Sequence, residues 1–137
     1  MTYADFIFAL TLWREASSTT HAARYGIGCV IWNRVRKGGW WAKPNNDVVS
    51  VCLHPGQFSS MTIKGNADLI RWPMSNDVVF SDCLGIAATS EAGLDVTSGA
   101  LFYWTFPLVE APEKEWGPTS ESVLIDGVHF CVPLVTP

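Results

Sequence analysis

The strongest hydrophobic signal lies near the start of the chain, where Phe6-Ile7-Phe8-Ala9-Leu10-Thr11-Leu12-Trp13 is apolar around most of a helical circumference. A helix of that kind, expected over about residues 3–16, belongs in the middle of a domain. The polar stretch 17–20 ends it and supplies caps for a second helix over about 20–36, whose apolar positions Ala23, Ile27, Val30 and Ile31 keep the helical period. Gly26 and Gly28 weaken that helix against alanine, so they are expected to admit a closely packed neighbouring helix and draw the first helix near.

Residues 37–46 read as a loop, Asp47 as the cap of a short helix ending near Leu53, and His54-Pro55-Gly56 as its stop. Gln57 is then expected in extended form, its amide free to donate and accept, with Phe58 in the core. A further helix is expected over about 77–93, capped by Ser75 or Asn76, with Val79, Cys83, Ile86, Ala87 and Ser90 facing inward. Asp95 opens a turn. The period then changes to two: a strand over about 100–106, and two more, 122–125 and 128–132, flanking Asp126-Gly127, a strong hairpin signal. The pattern describes an α+β domain, mostly helical, with a small three-stranded antiparallel sheet near the C-terminus.

Composition narrows this picture. At 137 residues and 48% apolar, residues 1–137 make one domain with a sizeable core and leave no room for a second. The formal charge of −4, with no basic run longer than Arg34-Val35-Arg36-Lys37, excludes a nucleic-acid footprint. No segment reaches transmembrane length, so membrane insertion is not expected, and the first residues lack the basic n-region of a secretory signal. Seven tryptophans and seven phenylalanines suit binding by stacking. Trp13, Trp32 and Phe80 read as core, whereas Trp40, Trp41, Trp72, Tyr103 and Trp104, beside glycine, proline or a turn, read as groove-lining. Cys29, Cys52, Cys83 and Cys131 read as buried thiols. Cys52 and His54 with His129 and Cys131 offer a zinc-type ligand set, but at no standard zinc spacing, so no metal or cofactor is expected.

The candidate chemistry centres on Glu15, a lone carboxylate closing the first apolar helix. There it is expected to be partly desolvated, the setting required of a glycosidic general acid. Around it stand, in order, Glu15-Ala16, Asn33-Arg34-Val35, Pro55-Gly56-Gln57-Phe58-Ser59, Asp95-Val96-Thr97-Ser98-Gly99 with Phe102-Tyr103, and Ile125-Asp126-Gly127-Val128-His129. In that order these pieces resemble the SleB/CwlJ-type cell wall hydrolases, over about residues 10–132. The chain departs from the family pattern at Ser17-Ser18-Thr19, where the family has Arg-Gly-Glu, and at Trp104-Thr105-Phe106-Pro107.

The resemblance implies a lysozyme-like fold and cleavage of the MurNAc-GlcNAc glycan strand of peptidoglycan. It offers Glu15 as the catalytic acid and Gln57 and Ser59 as substrate contacts. Tyr103, Trp104 and His129 are further candidates on the predicted strands. No other carboxylate stands out as a partner, since Asp47, Asp77 and Asp126 sit at caps or turns. One acid alone favours a lytic transglycosylase; hydrolysis by water, a catalytically weak wall-binding or phage-particle component, and a zinc amidase stay open. Without a visible leader, the domain is expected to be made in the cytoplasm and to reach the wall after release. That route would be a phage or prophage lysin with a holin or phage particle for delivery, or a secreted domain trimmed of its leader.

Overall fold

The computed structural model describes residues 1–135. Helix α1 (Tyr3–Ala16) starts at a capping box in which the Thr2 hydroxyl accepts from Asp5 N–H and the Asp5 carboxylate accepts from Thr2 N–H. All ten residues from position 7 to 16 except Glu15 are buried, so α1 is the central rod that the apolar run demands. It packs against α2 (His21–Lys37), α3 (Val48–Leu53) and α5 (Val78–Thr89). Thr20 caps α2, and Gly38 ends it in the left-handed conformation at φ 68°. Asp47 caps α3 through Ser50 N–H at 2.8 Å. Helix α5 is capped by Asp77, which accepts from Phe80 N–H at 2.8 Å, and not by Ser75 or Asn76; it stops at Thr89, four residues before the glycine expected to end it.

Between α3 and α5 lies the short α4 (Ser59–Thr62). After α5 the chain forms β1 (Phe102–Trp104), the short α6 (Glu113–Trp116), β2 (Thr119–Ile125) and β3 (Val128–Pro133). The sheet is antiparallel in the order β1-β3-β2, with Tyr103 opposite Phe130 and Trp104 opposite His129. Asp126 and Gly127 both take positive φ, 47° and 83°, as the tight β2–β3 turn requires. Strand β1 is shorter than the run that predicted it, because Thr105 leaves the sheet for the segment leading to α6.

Helix α2 is the hinge between the two layers. A Cβ on Gly26 would sit 2.6 Å from the Phe130 ring, so that glycine admits the sheet rather than a helix. Gly28 does serve helix packing, against Ile86 of α5 and Phe8 of α1. The core joins Phe8, Leu10, Leu12, Ile27, Val30, Ile31, Val51, Phe58, Ile86 and Phe130 in one cluster. Phe80 and Trp32 only border it, while Trp41, expected in a groove, is wholly buried. A single 3₁₀ turn (Trp40–Ala42) separates the two indoles: Trp41 points inward and donates from Nε1 to Arg34 O at 3.1 Å, leaving Trp40 outside, half exposed. Among the described residues no helix is long and apolar enough to cross a membrane.

Candidate active site

Glu15 stands in the last turn of α1, half-buried, where the helix meets both α4 and the sheet. Both carboxylate oxygens are engaged. The Tyr103 hydroxyl donates to Oε1 at 2.8 Å, and the Ser60 hydroxyl donates to Oε2. Two donors from two different elements fix the plane of the carboxyl group without a charged partner. Burial, then the charge of Glu15 and the bond to it, hold the Tyr103 phenol well above its usual range, so Tyr103 stays a donor at any working pH.

The neighbour of Glu15 on α1 anchors one of these donors. Arg14 is buried and reaches three main-chain carbonyls: Arg71 O from Nε at 3.1 Å, Leu69 O from Nη2 at 3.1 Å and Ser60 O from Nη1 at 3.4 Å. It ties α4 and the loop after it to the end of α1, which places Ser60 against Glu15. The exposed Trp72 covers the guanidinium at 4.7 Å and so has a structural partner.

A second anchor positions Tyr103. The Asn33 amide donates to Asp95 Oδ2 at 3.0 Å and to Ala100 O at 3.0 Å, tying the turn before β1 to α2. Asp95 also accepts from Thr97 N–H and Oγ1 and from Gly99 N–H. Burial opposes its charge, but the bonds from Thr97, Asn33 and Gly99 prevail and hold its carboxyl below the usual carboxylate range.

Glu15 opens into a groove of about 620 Å³, shared with Arg34, Trp40, Gln57, Tyr103, Leu108, Glu115 and Trp116 among its lining residues. Gln57 reaches it from a turn rather than an extended segment, with Gly56 at φ 82° and Gln57 N–H bonded to His54 O. Trp40 stands edge-on to His54 at 5.4 Å, and Trp116 stacks on Phe102 at 4.8 Å and 14°. The groove thus offers two indoles, an amide and a fixed carboxyl group, a set suited to stacking on sugar faces and bonding their polar substituents.

The structure brings Glu15, Gln57 and Tyr103 of the expected site residues together, and three others elsewhere. Ser59 is exposed at the start of α4, one residue before the serine that bonds Glu15. Trp104 and His129, paired across β1 and β3, stack on each other at 3.9 Å and 5°, and His129 also bonds Glu121. Strand alternation accounts for this: with Tyr103 turned toward Glu15, Trp104 must point the other way, and its register partner follows. Among the described residues no three His, Cys, Asp or Glu side chains gather in a metal-holding cluster. Burial pushes the Cys52 thiol up to about 12.

Sequence reasoning missed Ser60, Arg34, Trp116 and Glu115. Arg34 lay inside the motif Asn33-Arg34-Val35 and could have been noticed there. Glu113-Lys114-Glu115-Trp116 reads as a solvated polar segment, and only the return of the chain over Phe102 brings it to the groove. Glu115, which did not stand out in the sequence, lines the same groove as Glu15.

No protein-family model matches the chain, and no curated protein matches it significantly. Two solved structures do. The catalytic domain of the SleB protein of Bacillus cereus is 19% identical, with a TM-score of 0.67 over 96% of this chain and 91% of that one. The catalytic domain of the germination-specific lytic transglycosylase SleB from Bacillus anthracis is likewise 19% identical, with a TM-score of 0.67 over 96% of this chain and 97% of that one. The chain has a SleB-like, lysozyme-like α+β fold across nearly its whole length.

Proposed function

We propose that this domain is a peptidoglycan-degrading glycosidase that cuts the MurNAc-GlcNAc strand as a lytic transglycosylase, with Glu15 as acid and then base. The observation that carries the reading is the Glu15 carboxyl group, held on both oxygens by Tyr103 and Ser60 at the floor of an aromatic-lined groove, within a fold like that of a lytic transglycosylase catalytic domain. Glu15 gives its proton to the glycosidic oxygen as the C1–O bond breaks. The muramoyl 6-hydroxyl attacks C1 of the resulting oxocarbenium-like centre, and its proton passes to the Glu15 carboxylate. The products are a 1,6-anhydro end and a free hydroxyl on the leaving sugar, and the acid is regenerated.

Proton donation requires one hydroxyl to turn from donor to acceptor. Ser60 is assigned this turn because a serine hydroxyl can both donate and accept, whereas Tyr103 keeps the carboxyl group aligned. With a net charge of −4, the domain gains no long-range attraction to an anionic wall, so binding rests on stacking and hydrogen bonds in the groove.

Glu115 favours a second reading, hydrolysis, in which it would activate a water while Glu15 acts as acid. Mass spectrometry of the soluble products of purified peptidoglycan separates the two. Anhydromuramoyl ends from the wild type, absent with Glu15→Gln, are the expected result. Reducing ends would mean hydrolysis. Wall binding without cleavage by either protein would leave a binding module.

A further inference from the structure

Among the described residues the least satisfied polar group is Arg34. It is 5% exposed, yet among the described residues no carboxylate lies within ion-pair distance of it. Nε donates to Leu101 O at 2.8 Å, while Nη1 is enclosed with no partner at all. The rings of Phe58 and Phe102 hold the guanidinium at 5.4 and 5.6 Å, restricting its movement and excluding water from its flanks. Burial pulls its pKa down; the nearby Tyr103, Cys52 and Glu15 act in the opposite direction.

A buried cation with unmet donors is unfavourable unless something supplies an acceptor, and most such groups have one. The protein supplies one carbonyl and two aromatic rings. The remaining approach is the groove, which Arg34 lines together with Glu15 and Tyr103. Resting on the glycosidase reading, we propose that Arg34 receives an acyl oxygen of the sugar bound beside Glu15. A sugar hydroxyl is a poor match, because it must also place its own hydrogen against a cation. An acyl oxygen only accepts, and it carries full or partial negative charge that a guanidinium meets with a short, charge-assisted bond. On a muramoyl strand that chemistry comes from two sources, the lactyl carboxyl group and the acetamido carbonyl. The contact would place C1 over Glu15 and discriminate against strands lacking the acyl group, as sites built on buried donors do.

The test is calorimetric titration of Glu15→Gln, chosen to suppress turnover, with three probes. They are a peptide-free GlcNAc-MurNAc tetrasaccharide, the same sugar with its lactyl carboxyl reduced to an alcohol, and the same sugar N-deacetylated. One modified sugar should bind about tenfold or more weakly than the parent. That penalty should shrink to about twofold or less when Arg34→Met is added. Loss on lactyl reduction assigns the carboxyl oxygen, and loss on deacetylation assigns the acetamido oxygen. Arg34→Lys keeps the charge but not the fork, and it carries the comparison if Arg34→Met does not fold. The proposal is overturned if both modified sugars bind like the parent, or if the penalty persists undiminished in the Arg34 variants. Failure of the parent sugar to bind at all would instead strike the glycosidase reading itself.

Discussion

Glu15, Arg34 and Tyr103 are each fixed by a hydrogen bond to a distant part of the chain, and Glu15 by two. One wall of the groove contrasts with them. Leu108, Pro112, Glu115 and Trp116 come from the segment 105–118, where Leu108 and Glu115 are exposed and Trp116 is held by stacking on Phe102. Folding therefore sets the geometry of the acid before any ligand arrives, which is what a proton transfer needs. The second region is lightly held and suited to fitting around a sugar ring. Chemistry should be sensitive to small changes in the first region and tolerant of them in the second.

Glu15→Gln tests this contrast at its strongest. It should lower cleavage by about 10³-fold, within the range for a lost general acid, with little change in melting temperature. A variant that still releases soluble glycan at a comparable rate would remove the acid from the scheme. Tyr103→Phe comes next. It deletes one hydroxyl without a cavity, so kcat should fall about 10- to 100-fold while KM hardly moves. An unchanged kcat would mean that Ser60 alone aligns Glu15 and that the two-donor grip is incidental.

Much of the first region could be read from the chain, and almost none of the second. The apolar run ending at Glu15 fixes a central helix with one carboxylate at its end, and Asp126-Gly127 fixes the hairpin, because both are local patterns. What failed was the choice between adjacent residues. Ser59 and Ser60 differ only in which side of a four-residue helix they occupy, Trp40 and Trp41 only in which side of a 3₁₀ turn. Trp104 went with Tyr103 in the sequence but against it in the sheet. Such choices depend on what packs from elsewhere: Arg14 pulling α4 to α1, Arg34 O accepting from Trp41, and Glu15 meeting Tyr103. Glu115 and Trp116 carry no local signal because their place depends on a chain return over Phe102.

Trp116→Ala probes the lightly held region. Loss of a stacking face should raise KM about fivefold to tenfold and leave kcat within about twofold. A fall in kcat matching that of Tyr103→Phe would show that this segment also aligns the acid, and the contrast between the two regions would collapse. Glu115→Gln should have a still smaller effect on the transglycosylase reading, with anhydro product formed within about threefold of wild type. If instead reducing-end products dominate in the wild type and vanish in Glu115→Gln, that carboxylate is the base of a hydrolase.

The smallest effect concerns the turn that delivers Tyr103, and it appears in stability rather than in rate. Asp95 is held below its usual range in the folded state by donors from Thr97, Asn33 and Gly99. A carboxylate whose folded pKa is depressed stabilises the fold above its unfolded value, about 3.9. That contribution is lost as pH falls through the lower folded value, where the bound charge is neutralised. Wild type should therefore lose melting temperature steeply below about pH 4, whereas Asp95→Asn should melt a few degrees lower at neutral pH and show a shallower acid decline. Parallel acid profiles for the two proteins would mean that other carboxylates govern acid unfolding. In that case the Asn33-Asp95 tie merely accompanies the placement of Tyr103, and the rigidity of the acid's surroundings must come from Arg14 and the core alone.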